Sequence, residues 1–364
     1  MSYEKNHPSF KWQGKKLTKE EILQLAEEFS HSKEKHLQEI ADFFKAWFNE
    51  DHLIEVQTSG STGKPKKMKV KKQYMLNSAL ATKDFFDLPE KTTALLCLPA
   101  TYIAGKLMIV RAICLGWELD FVKPQANPLA VHQKKYDFSA FTPYQLNHSL
   151  ENIDLVKKLM VGGGAVSKAL WEKIQNVSTE IFETYAMTET LTHIAARKIN
   201  HLEKEENLPA FQLLKDVEID IDNRSCLIIK APKVSDEIIY TNDIVELKNA
   251  TSFYLKGRFD HIINSGGVKI SPEEVESKIS KLIKNRFFIA GIPDDDLGEK
   301  LILILENSDD NFSKEDLKER IIKAEVLDKY EIPKEIYTIS KFSETHSGKI
   351  KQSETLKNVL KKTE

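Results

Sequence analysis

The sequence predicts an α/β protein: a large N-terminal domain with a mostly parallel sheet and a β-rich subdomain, then a small α+β C-terminal domain. Three observations carry that expectation. From residue 73 to about 183, short apolar runs alternate with helical stretches, as β–α–β units do. Residues 211–256 then read as strand after strand, in runs such as VEIDI, CLIIK and EIIYT. At 257–271 the character changes to turn residues between short apolar pairs, and a compact α+β pattern follows.

The elements follow in order. Residues 18–49 carry two helical stripes, Ile22, Leu25, Ala26 and Phe29, then Leu37, Ile40, Phe43, Phe44 and Trp47. A strand at Leu53–Val56 leads into a Gly/Ser/Thr loop, and Lys67–Val70 alternates like a strand returning from it. Strands are expected near 93–98, 118–122, 138–141, 157–161 and 180–182, with helices near 73–86, 103–115, 145–150 and 167–176. Beyond the change come helices at 271–282, 313–324 and 352–362 and strands near 286–291 and 301–306. The domains are therefore drawn as 1–257 and 258–364. A module of roughly 100 residues is a normal domain size.

Composition excludes several classes. Lysine plus arginine (53) nearly balances aspartate plus glutamate (55), so no basic field is available for nucleic acid. No run of about 18 uncharged apolar residues occurs, so membrane insertion is not expected. Cys97, Cys114 and Cys226 are odd in number and lack zinc-site spacing, which fits a reducing, cytoplasmic setting. The oligomeric state is not encoded in any motif.

The most specific segment is Thr58-Ser59-Gly60-Ser61-Thr62-Gly63-Lys64-Pro65-Lys66. Glycines allow a sharp turn, successive N–H groups form an anion nest, and hydroxyls and lysine add donors and charge. Polyphosphate is the natural guest. A P-loop needs four residues between its glycines and Ser or Thr after the lysine. Here two residues separate Gly60 from Gly63 and Pro65 follows Lys64, so that alternative fails. The segment resembles the phosphate-binding signature of adenylate-forming enzymes, a superfamily of acyl- and aryl-CoA ligases, luciferases and peptide-synthetase adenylation domains.

Other segments follow in that superfamily's order, and the roles below are what the resemblance implies. Thr58 to Gly63 with Lys66 would hold the ATP phosphates. Gly162-Gly163-Gly164-Ala165 and Glu183-Thr184-Tyr185-Ala186-Met187-Thr188-Glu189 would form the adenine pocket. There Tyr185 stacks on the purine, Thr188 touches the α-phosphate and Glu189 ligates magnesium. The usual glycine after the tyrosine is Ala186 here. Asp243 would accept the ribose hydroxyls, Arg258 would bind ribose or phosphate, and Asp260 would be the hinge of a mobile C-terminal domain. Gly266 and Gly267 lie on the loop that faces coenzyme A, and Lys349 in Ser347-Gly348-Lys349-Ile350 is the adenylation lysine.

A narrower resemblance concerns the acid. Leu98 to Lys106 with Val110-Arg111-Ala112, Phe138 to Gln145, and Thr190-Leu191-Thr192-His193-Ile194 are similar to short bacterial o-succinylbenzoate–CoA ligases of menaquinone synthesis. That substrate has a second carboxylate, which is costly to bury unpaired. Tyr102, Lys106, Arg111 and His193 are the candidate residues around the acyl group. Tyr102 stands where many relatives have His, and the segment ahead of the phosphate loop is shorter than is typical. The alternatives are a ligase for another aryl or short acyl acid, or an adenylation module that loads a carrier protein.

A carboxylate is a poor acyl donor, and ATP activates it as a mixed anhydride with AMP before the thiol attacks. Two anions must meet in the first step only, so positive charge is needed there most. Lys349→Ala is expected to block adenylate formation and to spare thioester formation from premade acyl-adenylate. Separate assays of the two half-reactions check this, and equal loss of both would contradict it.

Overall fold

The computed structural model describes residues 3–57, 67–131, 133–202, 208–308, 312–344 and 350–361. Its first elements are β1 (Lys11–Trp12), β2 (Lys15–Lys16), α1 (Lys19–Ser30), α2 (Lys35–Phe48), β3 (Leu53–Gln57) and β4 (Lys67–Lys71). The amphipathic stretch 18–49, with its two stripes, folds as two helices. Thr18 opens α1 with a capping box to Glu21, and the helix closes at His31. The two helices pack antiparallel through the stripes read from sequence, burying Ile22, Ala26, Ile40, Phe43, Phe44 and Trp47. Lys72, fully buried, donates to the Asn49 carbonyl and Oδ1 at the C-terminus of α2, where a cation complements the helix dipole.

Next come α3 (Lys72–Phe86), β5 (Thr93–Leu96), α4 (Ile103–Leu115), β6 (Glu118–Phe121), β7 (Tyr136–Phe141), α5 (Pro143–His148), β8 (Val156–Val161), α6 (Lys168–Lys173) and β9 (Glu180–Ala186). β6, β5, β7, β8 and β9 are parallel neighbours in that order. Side chains alternate between two cores, as a sheet covered on both faces requires. Ala94, Leu96, Phe138, Ala140 and Met160 join α1–α4, whereas Leu95, Phe141, Leu159, Val161 and Ile181 join α5 and α6.

Then follow β10 (His193–Lys198), β11 (Phe211–Leu213), β12 (Glu218–Ile221), β13 (Cys226–Lys230), β14 (Ile239–Asn249) and β15 (Ser252–Arg258). This β-rich stretch does not make a sheet of its own. It extends the parallel strands into one thirteen-stranded sheet, running antiparallel from β9 through β10, β11, β15, β14 and β13 to β12. Within this sheet parallel pairing runs through β1 and β5–β9, the expected parallel portion, and the β-rich stretch continues it antiparallel.

The last elements are β16 (Ile263–Ser265), β17 (Val268–Ile270), α7 (Pro272–Ile279), β18 (Phe287–Asp294), β19 (Gly298–Glu306), α8 (Lys314–Lys323), β20 (Glu335–Ile339) and α9 (Gln352–Leu360). They build a separate five-stranded sheet with its own cores: Val275, Ile279, Leu317 and Ile321 pack on one face, and Val359 with Phe288 and Phe342 on the other.

One half-buried acid in this module gives it a pH dependence. Glu276 accepts the Ile289 N–H at 2.8 Å, and burial pushes its carboxyl up to about 7. The folded pKa lies above the unfolded one, so the module keeps its full stability below about pH 4.5 and loses it as pH rises to about 7, by roughly 3 kcal/mol. Glu276→Gln is expected to flatten that loss. Denaturant melts of both proteins at pH 5 and pH 8 check it, and parallel losses would contradict it.

Candidate active site

The predicted motifs converge because four parallel strands end side by side. β5 runs out into Cys97–Tyr102 and α4, and β7 into Thr142-Pro143-Tyr144 and α5. β8 ends at the Gly162–Ala165 turn, and β9 ends at Ala186 before Met187-Thr188-Glu189. β6 lies on one side of β5 and β7 on the other, so the strand order reverses between β5 and β7. Open α/β sheets bind ligands outside the carboxyl ends of the strands at such a switch point. Gln145 ties the β5 and β7 ends together: its amide donates to the Cys97 carbonyl at 3.1 Å while its Oε1 accepts the Thr142 N–H. Gly105 on α4 lies against the β5 exit so closely that a Cβ would fall 2.2 Å from the Pro99 carbonyl oxygen.

Among the residues proposed for the nucleotide, Glu183 is already engaged. Its Oε2 accepts Arg197 Nε at 2.8 Å and Nη2 at 2.6 Å, and its Oε1 accepts the Val166 N–H at 3.1 Å. Glu183 therefore anchors the chain that leaves Gly163, Gly164 and Ala165. Arg197 also lies over the Phe211 ring at 4.2 Å. No motif pointed to Arg197; a charge-paired partner on an antiparallel neighbour is its only signature, and the register Arg197↔Glu183 supplies it.

Tyr185, two residues on, is on the same face of β9. Its ring packs on Phe253 and Phe211, and its hydroxyl donates to Asp243 Oδ2 at 2.5 Å. Burial and the Asp243 charge hold that phenol far above its ordinary pKa, so it keeps its proton. Asp243 and Arg258 are register partners on β14 and β15, and Arg258 Nη1 donates to Asp243 Oδ1 at 3.2 Å. Arg258 grips Asp260 with Nε and Nη2, each at 2.9 Å, which holds Asp260 below the usual carboxylate range. Thr188 and Glu189 are exposed beyond the end of β9.

On the other face, the acyl candidates divide. Tyr102 caps the N-terminus of α4, half-buried, and Lys106 one turn on donates to the Ala100 carbonyl at 2.7 Å above the Phe43 ring. Burial lowers the Lys106 pKa. Arg111 is 1% exposed; its Nε donates to Thr82 Oγ1 at 3.2 Å and its Nη1 to Met108 Sδ at 3.5 Å. Burial lowers it to about 9, so it stays charged at neutral pH. His193 is also buried and its Nε2 has no partner among the described residues. Burial and then the Arg111 charge push His193 down to about 3. Ser78 and Thr192 complete the polar cluster, with Ser78 donating to Thr192 Oγ1 at 2.7 Å. Thr82 and Ser78 went unrecognised in the sequence, since isolated hydroxyls on a helix carry no signal, whereas Thr192 lies in the Thr190–Ile194 segment singled out there. His193 is opposite Ala186 in the β9–β10 register, so this cluster adjoins the Tyr185 strand end.

Gly266 and Gly267, with φ of 60° and 82°, form the two-residue turn between β16 and β17, a geometry that favours glycine at both positions. Residues 58–66, including Thr58, Ser59, Gly60, Ser61, Thr62, Gly63 and Lys66, lie outside the described residues, as does Lys349. Their flanks are described: Gln57 pairs with Lys67, and Glu344 bridges Ile350.

A family model for AMP-binding enzymes matches residues 6–232. The 2-succinylbenzoate–CoA ligase of Listeria monocytogenes is 26% identical over 81% of this chain and 68% of its own length. An acyl-CoA synthetase (AMP-forming)/AMP-acid ligase II-like protein from Dyadobacter fermentans is 34% identical over 92% of this chain and 98% of that one, with a TM-score of 0.60. The o-succinylbenzoate coenzyme A synthetase of Bacillus subtilis, solved with ATP and magnesium ion, shares the fold: TM-score 0.70, 21% identity, 83% of this chain and 69% of that one. The chain belongs to the AMP-binding enzyme family, within the adenylate-forming superfamily. No helix among the described residues is long and apolar enough to cross a membrane.

The Glu183–Arg197 pair gives the nucleotide face a test. Truncating one partner of a buried ion pair leaves an uncompensated charge. Arg197→Ala is expected to cost about 3–5 kcal/mol of stability, read by urea denaturation; a loss below about 1 kcal/mol, the scale of an exposed pair, would contradict it.

Proposed function

We propose that this chain is an ATP-dependent acid–CoA ligase acting through an acyl-adenylate, with o-succinylbenzoate as its acid. The observation that carries the choice of acid is Arg111. A guanidinium 1% exposed, with no carboxylate partner among the described residues, is a costly feature unless something anionic completes it. Its charge acts on His193, whose register partner Ala186 ends the strand that bears Tyr185. A dicarboxylic acid could place one carboxylate toward the nucleotide and the other toward Arg111. The names of the relatives support the same acid.

In this reading a carboxylate oxygen of the acid attacks the α-phosphorus of ATP and pyrophosphate leaves. The thiol of coenzyme A then attacks the acyl carbonyl, and AMP departs with the carboxylate oxygen. Thr58–Gly63, Lys66 and Lys349 supply donors and charge to the phosphates, Thr188 contacts the α-phosphate, and Asp243 and Arg258 hold the ribose. Glu189 fits magnesium: it is an exposed hard carboxylate with no described partner. No group of three His, Cys, Asp or Glu surrounds a metal position among the described residues, so phosphates and water would fill the remaining coordination. When bound, the ion would neutralise phosphate charge. The C-terminal domain, 258–364, turns about Asp260 between the two steps, bringing Gly266 and Gly267 toward coenzyme A. The setting is the cytoplasm, where CoA and ATP are available.

Incubation with ATP, magnesium, CoA and a panel of acids, read by mass spectrometry, tests the proposal. The expected product is o-succinylbenzoyl-CoA, and another thioester in its place would overturn the choice of acid. Arg111→Met is expected to lower kcat/KM for o-succinylbenzoate by about 30-fold or more, the scale of a buried charge partner. Benzoate, which lacks the second carboxylate, is expected to change little; equal loss for both acids would remove Arg111 from substrate recognition.

A further inference from the structure

The nucleotide face holds a feature that ribose binding by itself does not explain. Both oxygens of Asp243 are taken: Oδ2 by the Tyr185 hydroxyl at 2.5 Å and Oδ1 by Arg258 at 3.2 Å. The carboxylate is 8% exposed and the tyrosine 7%, so water is a poor substitute for either donor. Its own backbone N–H is spent on Thr241 Oγ1 at 3.1 Å. A ribose diol presents two hydroxyl donors to one carboxylate, the same pattern that Tyr185 and Arg258 make here.

We infer that the Tyr185 hydroxyl is an internal stand-in for a ribose hydroxyl, satisfying Asp243 while the site is empty and yielding it when nucleotide enters. This rests on the reading of Asp243 as the ribose acceptor. It gives Tyr185 two separable parts. The ring offers an apolar face beside Phe211 and Phe253, and the hydroxyl keeps a buried carboxylate paired in the free enzyme. The hydroxyl therefore stabilises the free protein and weakens nucleotide binding, since part of each ribose contact replaces one that already existed. Arg258 joins Asp243 to Asp260, so the exchange also reaches the residue proposed as the hinge.

The test is calorimetric titration of the full chain with AMP and with 2′,3′-dideoxy-AMP, alongside thermal melts of the free protein. Tyr185→Phe keeps the ring and removes the competing hydroxyl. It is expected to lower the melting temperature of the free protein and yet to bind AMP about three- to tenfold more tightly. Dideoxy-AMP, with no hydroxyl to claim Asp243, is expected to show no such gain. A merely structural tyrosine would lose stability and affinity together, and unchanged or weaker AMP binding by Tyr185→Phe overturns the inference. Asp243→Asn separates the underlying reading: it is expected to weaken AMP binding at least about tenfold. If Asp243→Asn leaves AMP affinity unchanged, the ribose assignment itself fails, whatever Tyr185→Phe does.

Discussion

The candidate site depends on the placement of one strand. β9 pairs parallel with β8 on one edge and antiparallel with β10 on the other. Its parallel side sets it beside the ends of β8, β7 and β5, where the turns diverge into helices. Its antiparallel side fixes Arg197 opposite Glu183 and His193 opposite Ala186. The two-residue period then puts Ile181, Glu183 and Tyr185 on one buried face. A register slip of one residue would turn all three to the other face and separate the nucleotide side from the acyl side.

Charges inside this region are satisfied in different ways, and the differences carry the functional reading. Arg197 sends two hydrogen bonds to one oxygen of Glu183 while the other accepts the Val166 N–H, so the pair acts as a fixed post for the turn after Gly164. Asp243 is answered by two donors that a ligand could replace. Among the described residues, Arg111 is answered only by a hydroxyl and a thioether, which is weak compensation for a buried cation. The neutral His193 beside it, with its unpartnered Nε2, has capacity left over. The Glu183–Arg197 pair, Asp243 and Arg111 thus grade from closed to exchangeable to open.

Much of this was legible in the sequence, and the failures have physical causes. The strand and helix positions of 73–183 follow from apolar runs and period, and the structure extends the 180–182 strand through Ala186 because Tyr185 and Glu183 find partners across two sheet edges. The position of the break, at His31, was not legible because the stripe on either side continues, while the cap chemistry of a following Ser-Lys-Glu turn is weak. The merging of the β-rich stretch into the same sheet was not legible, since pairing between β11 and β15 joins residues about forty apart with no local signal. Motif order named Glu183, Tyr185, Asp243 and Arg258 as candidates, but only the register could show that Tyr185 and Arg258 converge on Asp243. Arg111 stood out as a candidate by resemblance; its burial without an acid partner came from the packing of α4 against α3.

The proposed first step joins a carboxylate oxygen of the acid to the α-phosphorus of ATP. Oxygen labelling reads that bond directly. With both oxygens of the reacting carboxylate as oxygen-18, one turnover with ATP and CoA is predicted to leave one labelled oxygen in AMP and one in the thioester carbonyl. Unlabelled AMP, or release of ADP and labelled phosphate in its place, would contradict an acyl-adenylate.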